Sequence, residues 1–200
     1  YNYLISSGFP PERIILCGES AGGGLCYSLC IKLSQLGITL PAGIIAISPW
    51  TDLTSSGKSY EDNAEVDPSM TRERLQFFAD CYTAGKTTVA ATVEKVSAAC
   101  EVTVLEPSFT ISLDKSELPL FVGESEIMLD DSKLMHERLT KSGSKSKLIV
   151  APRMWHAYIL YDLKEYKSHY NDIGRFIQSV IPTSSPRWVR LDNAAKIFPA

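Results

Sequence analysis

The sequence predicts an α/β fold, a mostly parallel sheet with flanking helices, and three observations predict it. Four short apolar runs, at about residues 13–18, 42–48, 119–123 and 147–151, alternate with helical stretches. Runs such as Ala42-Gly43-Ile44-Ile45-Ala46-Ile47 are continuously apolar, which suits strands covered on both faces. Gly and Pro stand at the junctions, including Gly8, Gly37, Pro41, Pro49 and Pro182.

The elements follow in order. A short helix ends near Gly8 and Pro10-Pro11, and the first strand runs from Arg13 to Gly18. A helix from about 20 to 36 carries Leu25, Leu29, Leu33 and Leu36 at helical spacing. Cys26 and Cys30, four apart, are expected to be two small apolar residues on one of its faces. The second strand closes at Pro49. Thr71 is placed to cap a helix reaching Tyr82, with Leu75, Phe78 and Ala79 on one side. Residues 86–106 read as a helical or irregular insertion. Pro119 to Gly123 is the third strand, and Asp130, Asp131 or Ser132 is placed to cap the next helix, with Leu134 and Leu139 inward. The fourth strand is Lys147 to Ala151, and a last helix spans about Leu163 to Val180. The expected organisation is one domain over 1–182, with a cap-like insertion at about 53–110 and an irregular tail over 183–200.

The bulk numbers bound the function. A chain of 200 residues with 44% hydrophobic and 22% charged composition can bury one sizeable core. Its formal net charge of −3 gives no basic excess to neutralise phosphates, so a nucleic-acid partner is not expected. The lysines at 141, 145 and 147 read as a solvated loop. No apolar run approaches the roughly 18 residues of a membrane-spanning helix. The five cysteines form no CxxC pair and no interleaved histidine pattern, so no metal is expected, and they point to a reducing, cytoplasmic compartment. No signal-peptide pattern stands at the N-terminus, and Tyr1 to Ile5 reads as the end of a helix.

The chemistry concentrates in Gly18-Glu19-Ser20-Ala21-Gly22, directly after the first strand. A buried strand running through G-x-S-x-G into a helix forms a nucleophile elbow, a turn tight enough to exclude side chains at Gly18 and Gly22 and to leave Ser20 at its apex. G-x-S-x-G alone fixes three common residues; the strand before it and the helix after it give it weight. A serine hydroxyl needs a base, normally His, oriented by a carboxylate. Of three histidines, His136 and His169 fall within helices among charged and polar neighbours and read as solvated residues. His156 follows the last strand in Met154-Trp155-His156-Ala157-Tyr158, the place in chain order where the base is expected. Trp155 and Tyr158 beside it are expected to contact substrate. The acid should follow the third strand, where Glu124, Glu126, Asp130 and Asp131 all stand. Asp130 and Asp131 have helix capping as their ordinary role.

These residues together resemble the hormone-sensitive-lipase-like (type IV) carboxylesterases of the α/β-hydrolase fold. The matching pieces are Gly18 to Gly23, Ser48-Pro49-Trp50-Thr51-Asp52-Leu53, Asp67-Pro68, Gly123 to Asp131, and His156. The family's acid segment, laid on Glu126-Ile127-Met128-Leu129-Asp130, puts Glu126 at the catalytic position and Asp130 at a trailing structural one. The resemblance therefore implies Ser20 as nucleophile, His156 as base then acid, and Glu126 holding the imidazole. It also implies the Ala21 backbone N–H as one oxyanion donor, and a partial helical cap. Asp52 reads as a carboxylate that orders its own loop.

What the resemblance implies for function is a serine hydrolase cleaving short- to medium-chain carboxylic esters through an acyl-enzyme, without a cofactor. One departure stands against it. The family carries an HGGG-type loop before the elbow, and these 200 residues hold none. The chain resembles the C-terminal half to two-thirds of such an enzyme, with the N-terminal strands expected to be missing and the first strand left as a sheet edge. The alternative expectation is a small-molecule binder, or an inactive truncated hydrolase, on the same scaffold.

Overall fold

Alternating apolar runs and helical stretches resolve, in the computed structural model, into a four-stranded parallel sheet in the order β1-β2-β3-β4. The structure describes residues 1–83 and 117–181. The strands are β1 (Ile15–Glu19), β2 (Gly43–Ile47), β3 (Leu118–Gly123) and β4 (Ser146–Ala151). All three pairings are parallel, with Cys17 opposite Ile45, Ile47 opposite Phe121 and Phe121 opposite Ile149. The fold class read from the sequence is borne out. Residues 86–106 and the tail from 183 lie outside the described residues, so the expectations placed there do too.

Every residue of β2 and β3 is buried. Because successive side chains point to opposite faces, this requires cover on both sides of the sheet. Helix α2 (Ala21–Gln35) packs on β1 and β2, α5 (Leu129–Lys141) on β3 and β4, and α6 (Lys167–Val180) on β3. The buried face of α2 is Gly23, Tyr27, Cys30, Ile31 and Leu33, whereas Leu25 and Leu36 are exposed. The leucine spacing thus tracked the helix but only part of its inward face: of the four leucines Leu33 alone is buried, and Tyr27, Cys30 and Ile31, three and four apart, supply the rest. In α5 likewise Met135 and Leu139 are buried while Leu134 is exposed. The two outer strands are less covered: Cys17 in β1 and Val150 in β4 are exposed.

A second, smaller core holds the loop after β2. Trp50 and Tyr60 pack with Leu75 and Ala79 of α4 (Arg72–Tyr82) and with Ile127 and Met128. Tyr60 belongs to the short helix α3 (Ser59–Asp62). Thr71 caps α4 as expected, its hydroxyl accepting the Arg74 N–H at 3.3 Å. Phe78 on that helix is exposed instead of inward. The cap expected at α5 is not formed: Met128 occupies the cap position, and Asp130 and Asp131 lie in the first helical turn. Their carboxylates serve other backbone donors. Asp131 Oδ2 accepts from the N–H groups of Thr51 (3.0 Å) and Asp52 (2.9 Å), and Asp130 Oδ2 from that of Ser59 (2.9 Å). Two acids at one helix start therefore bind the loop after β2 down onto α5.

No helix among the described residues is long and apolar enough to cross a membrane.

Candidate active site

In a parallel sheet all carboxyl ends lie at one edge, so the residues following β1, β2, β3 and β4 gather there. Ser20 follows β1, Ser48 follows β2, Glu126 lies three residues past β3, and His156 five past β4.

Ser20 adopts φ 53° and ψ −123°, a conformation that non-glycine residues rarely hold and that costs of order 1–3 kcal/mol. Three backbone bonds impose it. The Ser20 N–H donates to the Ile47 carbonyl at 2.9 Å, and the Ser20 carbonyl accepts from Trp50 (2.9 Å) and Gly24 (3.2 Å). The Gly24 bond is the first of helix α2, so the N–H groups of Ala21, Gly22 and Gly23 precede the helical ladder and stand at its positive end. The glycine requirement differs from expectation at one position. A Cβ on Gly18 would run into the Gly22 carbonyl, and one on Gly23 would meet Pro49 Cβ at 2.8 Å, but Gly22 has open space around it. The turn is closed by Gly18 against the start of α2, while Gly23 lets that helix approach the end of β2.

Glu126 and His156 are brought together. Glu126 is fully buried, and its Oε2 lies 2.7 Å from His156 Nδ1. An ionised carboxylate only accepts, so Nδ1 carries the proton and Nε2 of the neutral ring holds the lone pair. Oε1 of Glu126 accepts from the Gly123 N–H at 2.6 Å and from the Ser48 hydroxyl at 2.9 Å. The other acidic residues after β3 point elsewhere: Glu124 accepts the Arg153 N–H at 2.9 Å, and Asp130 pairs with Lys133 at 3.0 Å.

His156 is almost wholly buried, and its Nε2 makes no hydrogen bond to the described residues. That atom lies 3.3 Å from Oε1 of Glu19, the residue before Ser20, outside hydrogen-bonding geometry. The free edge of the imidazole is therefore at the elbow. Burial pushes the imidazole pKa down, but the hydrogen bond and charge of Glu126, with the charges of Glu19 and Asp67, outweigh it and hold it above the ordinary value.

The aromatic neighbours divide. Trp155 is half-buried, with its ring edge-on to Tyr161 at 5.8 Å. Tyr158 is fully buried and its hydroxyl lies 2.8 Å from His169 Nδ1, so the expectation that it contacts substrate is corrected: its ring is core. His169 is accordingly not a solvated helix residue; it sits half-buried against the rings of Phe121, Tyr158 and Tyr166. His136 is also half-buried, with Nδ1 3.0 Å from the Ser146 hydroxyl. Asp52 orders its loop as expected, accepting from the backbone and hydroxyl of both Thr54 and Ser56.

Sequence reasoning assigned no part to Ser48, Asn63 or Asp67, which surround the Glu126 loop. Asn63 donates to the carbonyls of Glu124 (3.0 Å) and Glu126 (2.9 Å), and Asp67 Oδ2 accepts the Ile127 N–H at 2.9 Å. Two of the three lie in segments that match the family, Ser48-Pro49-Trp50 and Asp67-Pro68; for Asn63 no signal existed.

With this geometry in view, comparison with known proteins is decisive. The family described as alpha/beta hydrolase fold matches residues 1–160. The chain belongs to that family. It is 29% identical over 161 residues to an acetyl-hydrolase of Streptomyces hygroscopicus, covering 80% of this chain and 50% of that protein. It is 27% identical over 187 residues to an esterase of Acinetobacter venetianus, covering 90% of this chain and 56% of that one. Among solved structures, an esterase from the bacterial hormone-sensitive lipase family superposes with a TM-score of 0.76 at 32% identity, covering 91% of this chain and 58% of the other. The resemblance to hormone-sensitive-lipase-like carboxylesterases is upheld. The chain spans about half the length of the curated relatives it matches.

Proposed function

We propose that this α/β-hydrolase-fold protein is a carboxylic ester hydrolase working through an acyl-enzyme on Ser20. The observation that carries the reading is the buried Glu126–His156 pair, whose unpartnered Nε2 lies beside the elbow. In the first step Ser20 Oγ attacks the ester carbonyl while Nε2 takes the hydroxyl proton. The tetrahedral oxyanion accepts from the Ala21 N–H at the start of α2, a kind of donor worth about 2.7–4 kcal/mol of transition-state stabilisation. Collapse expels the alcohol, which receives the proton back from Nε2. Water, deprotonated in turn by His156, then releases the acid and regenerates Ser20. Throughout, Glu126 keeps the proton on Nδ1 and balances the charge of the imidazolium.

The substrates in this reading are esters with short- to medium-length acyl chains, a class supported by relatives named esterase and acetyl-hydrolase. The half-buried Trp155 ring is a candidate wall for the substrate.

Hydrolysis of nitrophenyl acetate and labelling with a fluorophosphonate test the reading. Ser20→Ala should abolish both, and unchanged turnover in that variant would refute it. Glu126→Gln should cost far more rate than Asp130→Asn; the reverse order would move the acid to Asp130.

A further inference from the structure

From the end of β2 a single hydroxyl reaches both halves of the Glu126–His156 pair. Ser48 Oγ donates to Glu126 Oε1 at 2.9 Å and accepts the N–H of Ala157, the residue after His156, at 3.0 Å. The hydroxyl is fully buried and makes one donated and one accepted hydrogen bond there. Both residues are held in the left-handed region, Ser48 at φ 43° and Ala157 at φ 56°. Neither is glycine, and such conformations persist only where the surroundings over-determine them. At Ser48 the constraint is visible: its N–H donates to the Phe121 carbonyl at 2.6 Å, which turns the chain at the strand end and aims the side chain at the β3 and β4 loops.

Resting on the ester-hydrolase reading, we infer that Ser48 is a positioning residue of this site, which sets Glu126 and the His156 loop in register through its hydroxyl. Its chemistry is specific to that place. Glu126 is a carboxylate with no exposed surface, and an ionised group so buried must be satisfied by donors. Gly123 supplies one and the His156 ring another; Ser48 supplies the third. The Ser48 bond also restrains rotation of the carboxyl group, so that Oε2 faces Nδ1. Its second bond anchors the backbone immediately after His156, so that the ring and its carboxylate are referenced to one atom. Losing the hydroxyl leaves the Ala157 N–H and one Glu126 lone pair unpartnered, and frees the imidazole to move relative to the elbow. Displacements of about 1 Å at a reacting group cost on the order of 10²-fold in rate.

The test compares Ser48→Ala and Ser48→Gly in the full chain, with folding followed by circular dichroism. Glycine accepts φ 43° without strain, so Ser48→Gly separates the hydroxyl from the backbone conformation. For nitrophenyl acetate, both variants should lose roughly 10²-fold in kcat with KM changed by less than about twofold. The far-downfield proton resonance of the Nδ1–H bonded to Glu126 should shift or broaden in both. Wild-type kcat in Ser48→Gly would show that only the backbone turn matters, and overturns the inference. So does a resonance unchanged in both variants, whatever the rates. The resonance does not depend on turnover: if the wild-type chain neither hydrolyses the ester nor labels at Ser20, the ester-hydrolase reading fails, while the spectrum still decides whether Ser48 positions the pair.

Discussion

Glu19 places a second carboxylate on the imidazole that Glu126 already holds. Its Oε1, on a partly exposed side chain, lies 3.3 Å from Nε2, whereas Glu126 grips Nδ1 in a fully buried bond. The two acids therefore act differently. Glu126 fixes the tautomer, and Glu19 adds charge at the edge that exchanges the proton in the proposed mechanism. Both stabilise the imidazolium, together with Asp67 and against the effect of burial. A base works only when unprotonated, so a raised pKa moves the acidic limb of the rate profile to higher pH. Glu19→Gln removes one of the charges, and the acidic limb of kcat/KM for nitrophenyl acetate should move to lower pH. A limb that stays put, or moves upward, would show that Glu19 does not act on His156. Among acids crowded after β3, Glu126 was legible in the sequence only through its likeness to a known acid segment; charge and spacing left four residues in contention. The imidazole separates them, because of the four only Glu126 is bonded to it.

The elbow shows how an element imposes a conformation that its apex residue would not choose. Strand β1, held by β2 along its whole length, delivers Ser20 to a fixed point, and three backbone bonds lock its unusual φ and ψ. The glycines then have separable duties. A methyl at Gly18 would strike the backbone of α2, so Gly18→Ala forces the helix off the strand and should destabilise by about 1–3 kcal/mol, as overpacking does. A methyl at Gly22 meets nothing and lies within a helix, so Gly22→Ala should be neutral or stabilise by about 0.4–1 kcal/mol. Urea unfolding of the two variants checks the pair, and equal losses would contradict the geometry. A sequence motif weights its two glycines alike. Which one a turn requires depends on what the other elements bring near it, and that information is absent from the five residues.

At the scale of the whole molecule, Asp131 joins the two cores. It lies at the start of α5, and its carboxylate binds the backbone of Thr51 and Asp52 in the loop after β2. Burial and the nearby charge of Asp52 push its pKa up to about 8, against the lowering effect of those backbone bonds. In an unfolded chain the same group titrates near 3.9. The folded state therefore holds a proton that the unfolded state has released. The stability associated with Asp131 is full below about pH 4 and is lost as pH rises towards 8. The margin of the wild type over Asp131→Asn, measured as Tm, should shrink between pH 5 and pH 8. A margin that is constant or grows over that range would show that Asp131 does not titrate there.

By itself the sequence determined the strands, the longer helices, the elbow and the histidine after the last strand. Those features are local, written in continuous apolar runs, helical spacing and short motifs whose neighbours lie within a few residues. Tertiary structure alone decided which faces turn inward: Tyr27 rather than Leu25, Met135 rather than Leu134, and Tyr158 into the core against His169. It alone also brought Ser48, Asn63 and Asp67 to the Glu126 loop, across 78, 63 and 60 residues of chain. The physical reason is the same in each case. A side chain's surroundings are set by the parallel packing of distant strand ends, and no local pattern records which distant residue will arrive there.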